Sequence, residues 1–525
     1  MRIVLVLLIA GRAFAQAPAV YQDLYTQLNR DVADFQSDVK SRWDGSTFPA
    51  AFSAQLTDAN SNNGPSLLQP ASFTLIQSEI LLVKAIGVKA VSVEVSFPML
   101  DAGFFNSIGH PEYQAQFLTF YANVASAIRA QGLQVIVESQ SMIPTGLQSV
   151  WGTGLQQYYA SLSTFSVYEN ERAQTAALVA STMRPDFFVL QEEPDTESAQ
   201  SGQAQAATIS GSTSMLSGTL AAVRQVNVPG MKLGAGFGAW LQEYQAFANG
   251  FTRQHCSQTQ PCVAQPLDFL DLHVFPINEQ TADCSPPPNP KPCTAPNFRQ
   301  NTMAAVTTAI AAGVPLTISQ TWLRKVRDAE WLQINGDIQE AREAYSFWTP
   351  LDLAFLQTIH DLANYAHMLF VVPFNTQSDS AYLTWSASTA LQGEGGTNTP
   401  AQVFSAVQSA AISNAAAASY TALATGYHDL IVTDAIPPSS PANITATRTS
   451  PTSITVNWSP STDNVGVAGY HIRRNGAALA DVFQPPYQDT TVSASTTYTY
   501  DVSAFDLAGN VSSNGGLRRR HAAAH

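Results

Sequence analysis

The stretch from Arg184 to Asp195 is a short apolar run, Phe187-Phe188-Val189-Leu190, that ends in two adjacent carboxylates, Glu192 and Glu193, just before Pro194. A strand covered on both faces is continuously apolar, and a proline right after it stops the pairing. The pattern therefore predicts a buried strand that delivers acid at its carboxyl end. Two earlier runs end similarly: Glu94 lies between Ser92 and Ser96 at period two, which puts all three on one face, and Glu138 is followed by Ser139 and Gln140. Acids at the ends of neighbouring strands form an arc in which crowded like charges raise a pKa enough to keep one carboxyl protonated, as general acid chemistry requires. Asp271 and His273 also alternate on one apolar run. They read first as a histidine satisfied by a nearby carboxylate, because polar groups inside a core must be hydrogen-bonded. The alternative is a divalent-ion site shared with Glu94 or Glu138.

The elements that must position these groups alternate regularly. Strands are expected at 48–56, 88–97, 133–138, the run ending at Gln191, 231–235, 267–275, 315–319 and 368–374. An amphipathic helix at 20–43 leads in, and helices at 72–86, 113–130, 167–182, 214–226, 240–251, 302–312, 351–366 and 401–424 follow the strands. Gly87 and Gly132 stand where helices commonly end. Strand–helix alternation in one core predicts a (β/α)8 TIM barrel, whose chemistry lies at the carboxyl ends of its strands. Trp240, Trp322 and Trp385 then follow strands five, seven and eight and put large rings at that end of the barrel, and Asn375 at the end of strand eight is a polar group there.

Composition narrows the class. The 525 residues carry 45% hydrophobic and 12% charged side chains with a net charge of −14, which supplies large cores and argues against a nucleic-acid partner. Met1-Arg2, the apolar stretch Ile3 to Ala10 and Ala13-Phe14-Ala15 read as a signal peptide at 1–15, so the chain is expected to be secreted, with no membrane anchor. Cys256, Cys262, Cys284 and Cys293 suit an oxidising route. Local spacing suggests Cys256 with Cys262 and Cys284 with Cys293, although four cysteines permit three connectivities. A barrel domain at 16–434 gives way to a proline- and serine-rich linker at 435–441, a domain of short strands at 442–513 and a disordered basic tail at 514–525. Those strands are expected at 444–447, 453–458, 469–474 and 497–505, with Asn475-Gly476 as a hairpin turn.

Trp458 to Tyr470, with Asp463-Asn464-Val465-Gly466-Val467-Ala468-Gly469, and Thr497 to Asp506 closely resemble fibronectin type III modules of exported bacterial carbohydrate-degrading enzymes. The resemblance implies a small all-β fibronectin type III sandwich, with Trp458 in its core and Tyr498 as a tyrosine corner. Glu192-Glu193-Pro194 in turn resembles the acid/base strand of the large retaining glycoside hydrolase superfamily of (β/α)8 barrels, where Asn-Glu-Pro ends strand four. That likeness nominates Glu193 as general acid/base and Glu192 for the place of the sugar-contacting asparagine. The family's nucleophilic glutamate on strand seven corresponds to Gln320, and its His-x-Tyr on strand six to His273-Val274-Phe275. Both departures surround one missing carboxylate.

The expectation is an exported glycoside hydrolase acting on a polysaccharide or oligosaccharide, without cofactor. Glu193, Gln320, Glu138 and Glu192 occupy the catalytic positions, and Glu94, Trp240, His273, Phe275, Trp322, Asn375 and Trp385 line the sugar cleft. The competing class is an inactive carbohydrate-binding or adhesion protein on the same barrel.

Overall fold

A computed structural model describes residues 16–144, 150–275, 298–327, 330, 336–373 and 381–516. The expected signal peptide, Cys284, Cys293, Asn375 and the basic run Arg518-Arg519-Arg520 lie outside them. Eight parallel strands close into a barrel in sequence order: β1 (Ala51–Gln55), β2 (Ala90–Glu94), β3 (Gln134–Glu138), β4 (Phe187–Val189), β5 (Lys232–Gly238), β6 (Phe269–Val274), β7 (Leu316–Thr321) and β8 (Phe370–Val371). β1 completes the circle by pairing with both β2 and β8.

The barrel floor is filled by Ala90, Phe187, Phe269 and Phe370, one from each even-numbered strand, in a cluster distinct from the larger core outside. Layers drawn from alternate strands are how such barrels pack. Phe187 and Phe370 meet edge to face with ring centroids 5.0 Å apart. β5 makes room with glycines: a Cβ on Gly234 would lie 2.0 Å from the Phe269 ring, and one on Gly238 2.2 Å from Trp240. Above the floor the inner face turns polar. β2 and β3 pair Glu94 with Glu138, and β6 and β7 pair His273 with Gln320 after an irregularity at Leu272/His273.

Helices wrap the barrel. Pro70–Ile86 begins on a proline, whose missing N–H costs nothing at a first turn, and stops at Gly87 with φ 97°. The helix Tyr113–Ala130 has the expected bounds. Two expectations need correction. The segment 240–251 is helical only from Tyr244, with a turn before it, and 401–424 is two helices, Pro400–Ala416 and Ala422–Ile431. The break passes through Ala418 at φ 49°, and Tyr420 reaches from it to donate to Ala468 O at 3.1 Å. A tertiary contact thus overrides an alanine-rich sequence that favours one continuous helix. Four short helices were not foreshadowed, Ala102–Ser107, Thr153–Ser161, Pro194–Ser201 and Gly336–Arg342.

The C-terminal strands form a sandwich of two antiparallel sheets. One holds β9 (Ala442–Ser450), β10 (Ser453–Ser459) and β13 (Tyr487–Asp489). The other holds β11 (Gly469–Arg474), β12 (Ala477–Val482), β14 (Tyr500–Phe505) and β15 (Gly515–Gly516). Asn475 and Gly476, both at positive φ, turn β11 into β12. Trp458 is buried against Tyr470, and the Tyr498 hydroxyl accepts from Ser493 N at 3.0 Å. Cys256 and Cys262 are disulfide-bonded. Among the described residues no helix is long and apolar enough to cross a membrane.

Candidate active site

The carboxyl ends of β2, β3, β4, β6 and β7 bring Glu94, Glu138, Glu192, Glu193, Asp271, His273 and Gln320 onto the barrel's inner polar layer, where six are buried and Gln320 is partly exposed. Gln320 is the hinge between two of them. Its Nε2 donates to Glu138 Oε2 at 2.9 Å and to Glu192 Oε2 at 3.2 Å. Glu138 also accepts from Ser92. Glu192 has one further oxygen, Oε1, buried with no partner among the described residues. Burial pushes Glu138 up to about 8, against the hydrogen bonds from Ser92 and Gln320. It pushes Glu192 well above the ordinary carboxyl range, reinforced by the charge of Glu138. Both environments favour the protonated form.

Glu193 has the opposite environment. His273 Nδ1 lies 2.6 Å from its Oε1, and Thr196 donates to its Oε2. Burial opposes ionisation, but the hydrogen bond and charge of His273 outweigh it and hold Glu193 below its usual value. Burial likewise opposes the charge on His273, and Glu193, followed by Asp271, overcomes it and raises the imidazole. Hydrogen-bond logic agrees. Ser319 gives its proton to Asp271 Oδ2 at 2.6 Å, so its oxygen accepts from His273 Nε2 at 2.9 Å, and the ring donates from both nitrogens. Thr317 donates to the other oxygen of Asp271 at 2.6 Å. The result is a continuous line, Asp271–Ser319–His273–Glu193.

That line decides between the two sequence readings of His273. The histidine is satisfied by its neighbours, and both ring nitrogens are committed. Among the described residues the one trio of acidic, His or Cys side chains with donor atoms within 4.8 Å of one another is Asp434, Asp463 and Asp506, far along the chain, so Asp271 and His273 do not converge with Glu94 or Glu138 as an ion site.

Glu94 stands at the side of the arc, accepting from Asn60 Nδ2 at 2.6 Å, Ser96 Oγ at 2.8 Å and Asn62 Nδ2 at 3.0 Å. Burial raises it above the usual range despite these donors. Over the site, Phe275 lies between Trp240 and Trp322, with centroid distances of 5.4 and 4.3 Å. The guanidinium of Arg324 sits over the rings of Phe275 and Trp322. Trp240 donates to Asp195 Oδ2 at 2.9 Å, and burial, with the charge of Glu193, lifts Asp195 to about 6. Trp385 stacks on no other ring among the described residues and packs instead over Gly395.

Sequence reasoning missed Asn60, Asn62, Asp195, Ser319, Arg324 and the buried Arg172. An asparagine cluster directly after strand one was a signal for the first two. Arg172 carried none, because its helix, Phe165–Met183, precedes the strand it serves.

No protein-family model matches the chain. It is 46% identical over 79 residues to chitinase Chi52 of Paenibacillus xylanexedens, 15% of either chain. It is 42% identical over 71 residues to chitinase D of Niallia circulans, 14% of either. With exoglucanase B of Cellulomonas fimi it shares 44% over 82 residues, 15% of this chain and 7% of that one. The chain thus spans about 15% or less of the length of these relatives, and the matched lengths fit fibronectin type III-like segments rather than barrels. Among solved structures, a GH1 beta-glucosidase from Exiguobacterium antarcticum is 10% identical, covering 74% of this chain and 98% of its own at a TM-score of 0.43. A beta-glucosidase from Thermotoga maritima is 10% identical, covering 64% and 89% at 0.41. The chain joins a closed (β/α)8 barrel, an architecture glycoside hydrolases use, to a sandwich similar to segments of carbohydrate-active enzymes.

Proposed function

We propose that the protein is an exported glycoside hydrolase that cleaves a polysaccharide or oligosaccharide within the carboxylate arc of its barrel. One arrangement carries the reading: Glu138 and Glu192 share the Gln320 amide in a buried setting that raises both, while His273, bonded to Glu193 beside them, lowers that carboxyl. Hydrolysis of a glycosidic bond needs such a pair, a carboxylic acid to protonate the departing oxygen and a carboxylate to attack the anomeric carbon or activate water. An environment that splits neighbouring carboxyls into these two states assigns the roles. Glu192, with an oxygen that no other described group satisfies, donates the proton, and burial together with the nearby Glu138 carboxyl raises its pKa. Glu193 is the carboxylate. The acid role that the resemblance gives Glu193 therefore moves to its neighbour, and Gln320 serves as the bridge that holds two acids together.

The supporting relatives are chitinases and an exoglucanase, similar in the sandwich alone. The test is release of reducing sugar from a polysaccharide panel by the wild type and by Glu192→Gln and Glu193→Gln. Each variant is expected to lose at least about a hundredfold in kcat, the lower end for removing a positioned acid or base. Wild-type rates in both would remove these residues from the mechanism. Tight sugar binding with no turnover by the wild type would instead favour the second reading, a carbohydrate-binding barrel, which the neutral Gln320 at the nucleophile position supports.

A further inference from the structure

Among the described residues Arg324 forms no ion pair within contact distance, and that sets it apart from other buried or half-buried cations of the barrel domain. Arg172 is paired with Glu197, Lys325 with Asp352, Arg327 with Asp23 and Arg342 with Glu330. Among the described residues Arg324 takes part in no hydrogen bond or ion pair, and its Nε is buried without a partner. A buried, unpaired guanidinium N–H costs on the order of 1–3 kcal/mol, so a chain that keeps one has a use for it. The side chain is nonetheless fixed in place, with its guanidinium carbon 4.8 Å from the centroid of Phe275 and 4.9 Å from that of Trp322. Stacking on rings uses the face of the guanidinium and leaves its fork of N–H groups for a planar anion.

The position matters as much as the charge. Arg324 follows β7 directly, and its charge contributes to the lowered pKa of Glu193. Beside it Trp240 and Trp322 are partly exposed, on either side of the buried Phe275 ring, and rings of this kind pack on sugar C–H surfaces. Within the arc the carboxylate of Glu193 already has His273 as its hydrogen-bonded partner, which leaves the N–H groups of Arg324 uncommitted among the described residues.

We propose that the sugar bound against Trp240 and Trp322 is a uronic acid, its ring packed on the exposed parts of these indoles and its carboxylate taken by the unpaired guanidinium of Arg324. The substrate class narrows accordingly to acidic oligosaccharides or polysaccharides. This rests on the glycoside hydrolase reading for the location of the cleft, but recognition can be measured without turnover.

The experiment is calorimetric titration of the full chain carrying Glu192→Gln, which blocks hydrolysis while replacing a carboxyl whose setting favours the neutral form. The ligands are matched pairs: a glucuronic acid-substituted xylo-oligosaccharide against the unsubstituted one, and an oligogalacturonide against its carboxyl-reduced form. The acidic member of at least one pair is expected to bind about tenfold or more tighter, with the preference shrinking as salt rises. Adding Arg324→Gln should abolish the preference and Arg324→Lys retain part of it, with both variants melting as the parent does. Equal affinities within both pairs, or a preference that survives Arg324→Gln, would overturn the proposal. If the wild type hydrolyses neutral polymers while showing no acidic preference, this inference fails and the hydrolase reading stands. If the Arg324-dependent preference is present but the wild type releases no sugar from any polymer, the hydrolase reading fails and the acidic subsite stands.

Discussion

In the proposed mechanism Glu138 donates no proton to substrate, yet its own titration makes the stability of the site depend on pH. Its carboxyl is wholly buried between Ser92 and Gln320, and burial lifts it to about 8 from an ordinary 4.5. The folded chain therefore keeps this proton over a range in which the unfolded chain has lost it. In linkage terms the folded state binds more protons between about pH 4.5 and 8. The contribution of Glu138 to stability is thus fully present below about 4.5 and is lost progressively as the pH rises through about 8. Replacing it with the isosteric, non-titrating amide removes that dependence, and the Ser92 hydroxyl can turn to suit the new group. Glu138→Gln is expected to gain on the wild type between pH 5 and pH 8 by more than about 1 kcal/mol, since one pKa unit is worth about 1.4 kcal/mol. Paired chemical denaturation curves at the two pH values check this. A wild-type-minus-variant difference that is the same at both would mean that Glu138 is ionised in the folded state.

At the scale of elements, the ends of β3 and β4 are held by one side chain from a helix. Arg172, 1% exposed, donates to Ser139 O and Leu190 O at 3.2 Å each and to Ser139 Oγ at 3.1 Å, and so ties down the residues beside Glu138 and Gln191-Glu192. Glu197 anchors it from the next helix, at 2.7 Å from Nε, and takes a hydrogen bond from Tyr168 at 2.6 Å. Arg172→Met is expected to cost about 3–5 kcal/mol, because it leaves Glu197 charged and unpaired in the core. Combining it with Glu197→Gln should recover part of that loss, Tyr168 keeping Ser141 as a partner at 3.0 Å. Denaturant midpoints of single and double variants decide the matter, and a double variant no more stable than Arg172→Met would show that the arginine acts through packing alone. This clamp also marks the limit of what local sequence shows. Period-two alternation places Ser92, Glu94, Asp271 and His273 inward, and Pro194 marks where β4 must end, so the acids of the site were legible residue by residue. The partners were not. Asn60, Arg172 and Ser319 reach the site only when the barrel closes, and the pairing of His273 with Glu193 joins residues 80 positions apart. The unbroken helix expected at 401–424 fails for the same reason, because Ala418 leaves the helical region without any glycine to announce it.

For the whole molecule, the question is whether the sandwich belongs to the chemistry or only travels with it. Its turn at Asp463 to Val467 seats on the end of the helix Pro70–Ile86, where a Cβ on Gly466 would lie 2.8 Å from both Ala85 Cα and Lys84 O. Phe483 N donates to Ala416 O at 3.1 Å, and Asn464 Nδ2 to Asp434 Oδ1 at 3.1 Å, so the seam continues on both sides. The end of that helix precedes the amino end of β2, which places the seam on the barrel face away from the carboxylates. Conservation of stability, not chemistry, is the business of that face. Backbone atoms cannot yield to a new side chain, so Gly466→Val must lift the turn off the helix and loosen the seam, where Phe483, Phe505 and Leu507 of the sandwich pack on the barrel's core, while the sandwich's inner core around Trp458, Tyr470 and Val502 stays intact. The expected outcome in calorimetry is a split of one unfolding transition into two, with faster proteolysis across 435–441 and unchanged turnover of soluble oligosaccharides. A fall in that turnover would show that the seam communicates with the mouth through the barrel, and a transition that stays single would show that the sandwich docks without this turn.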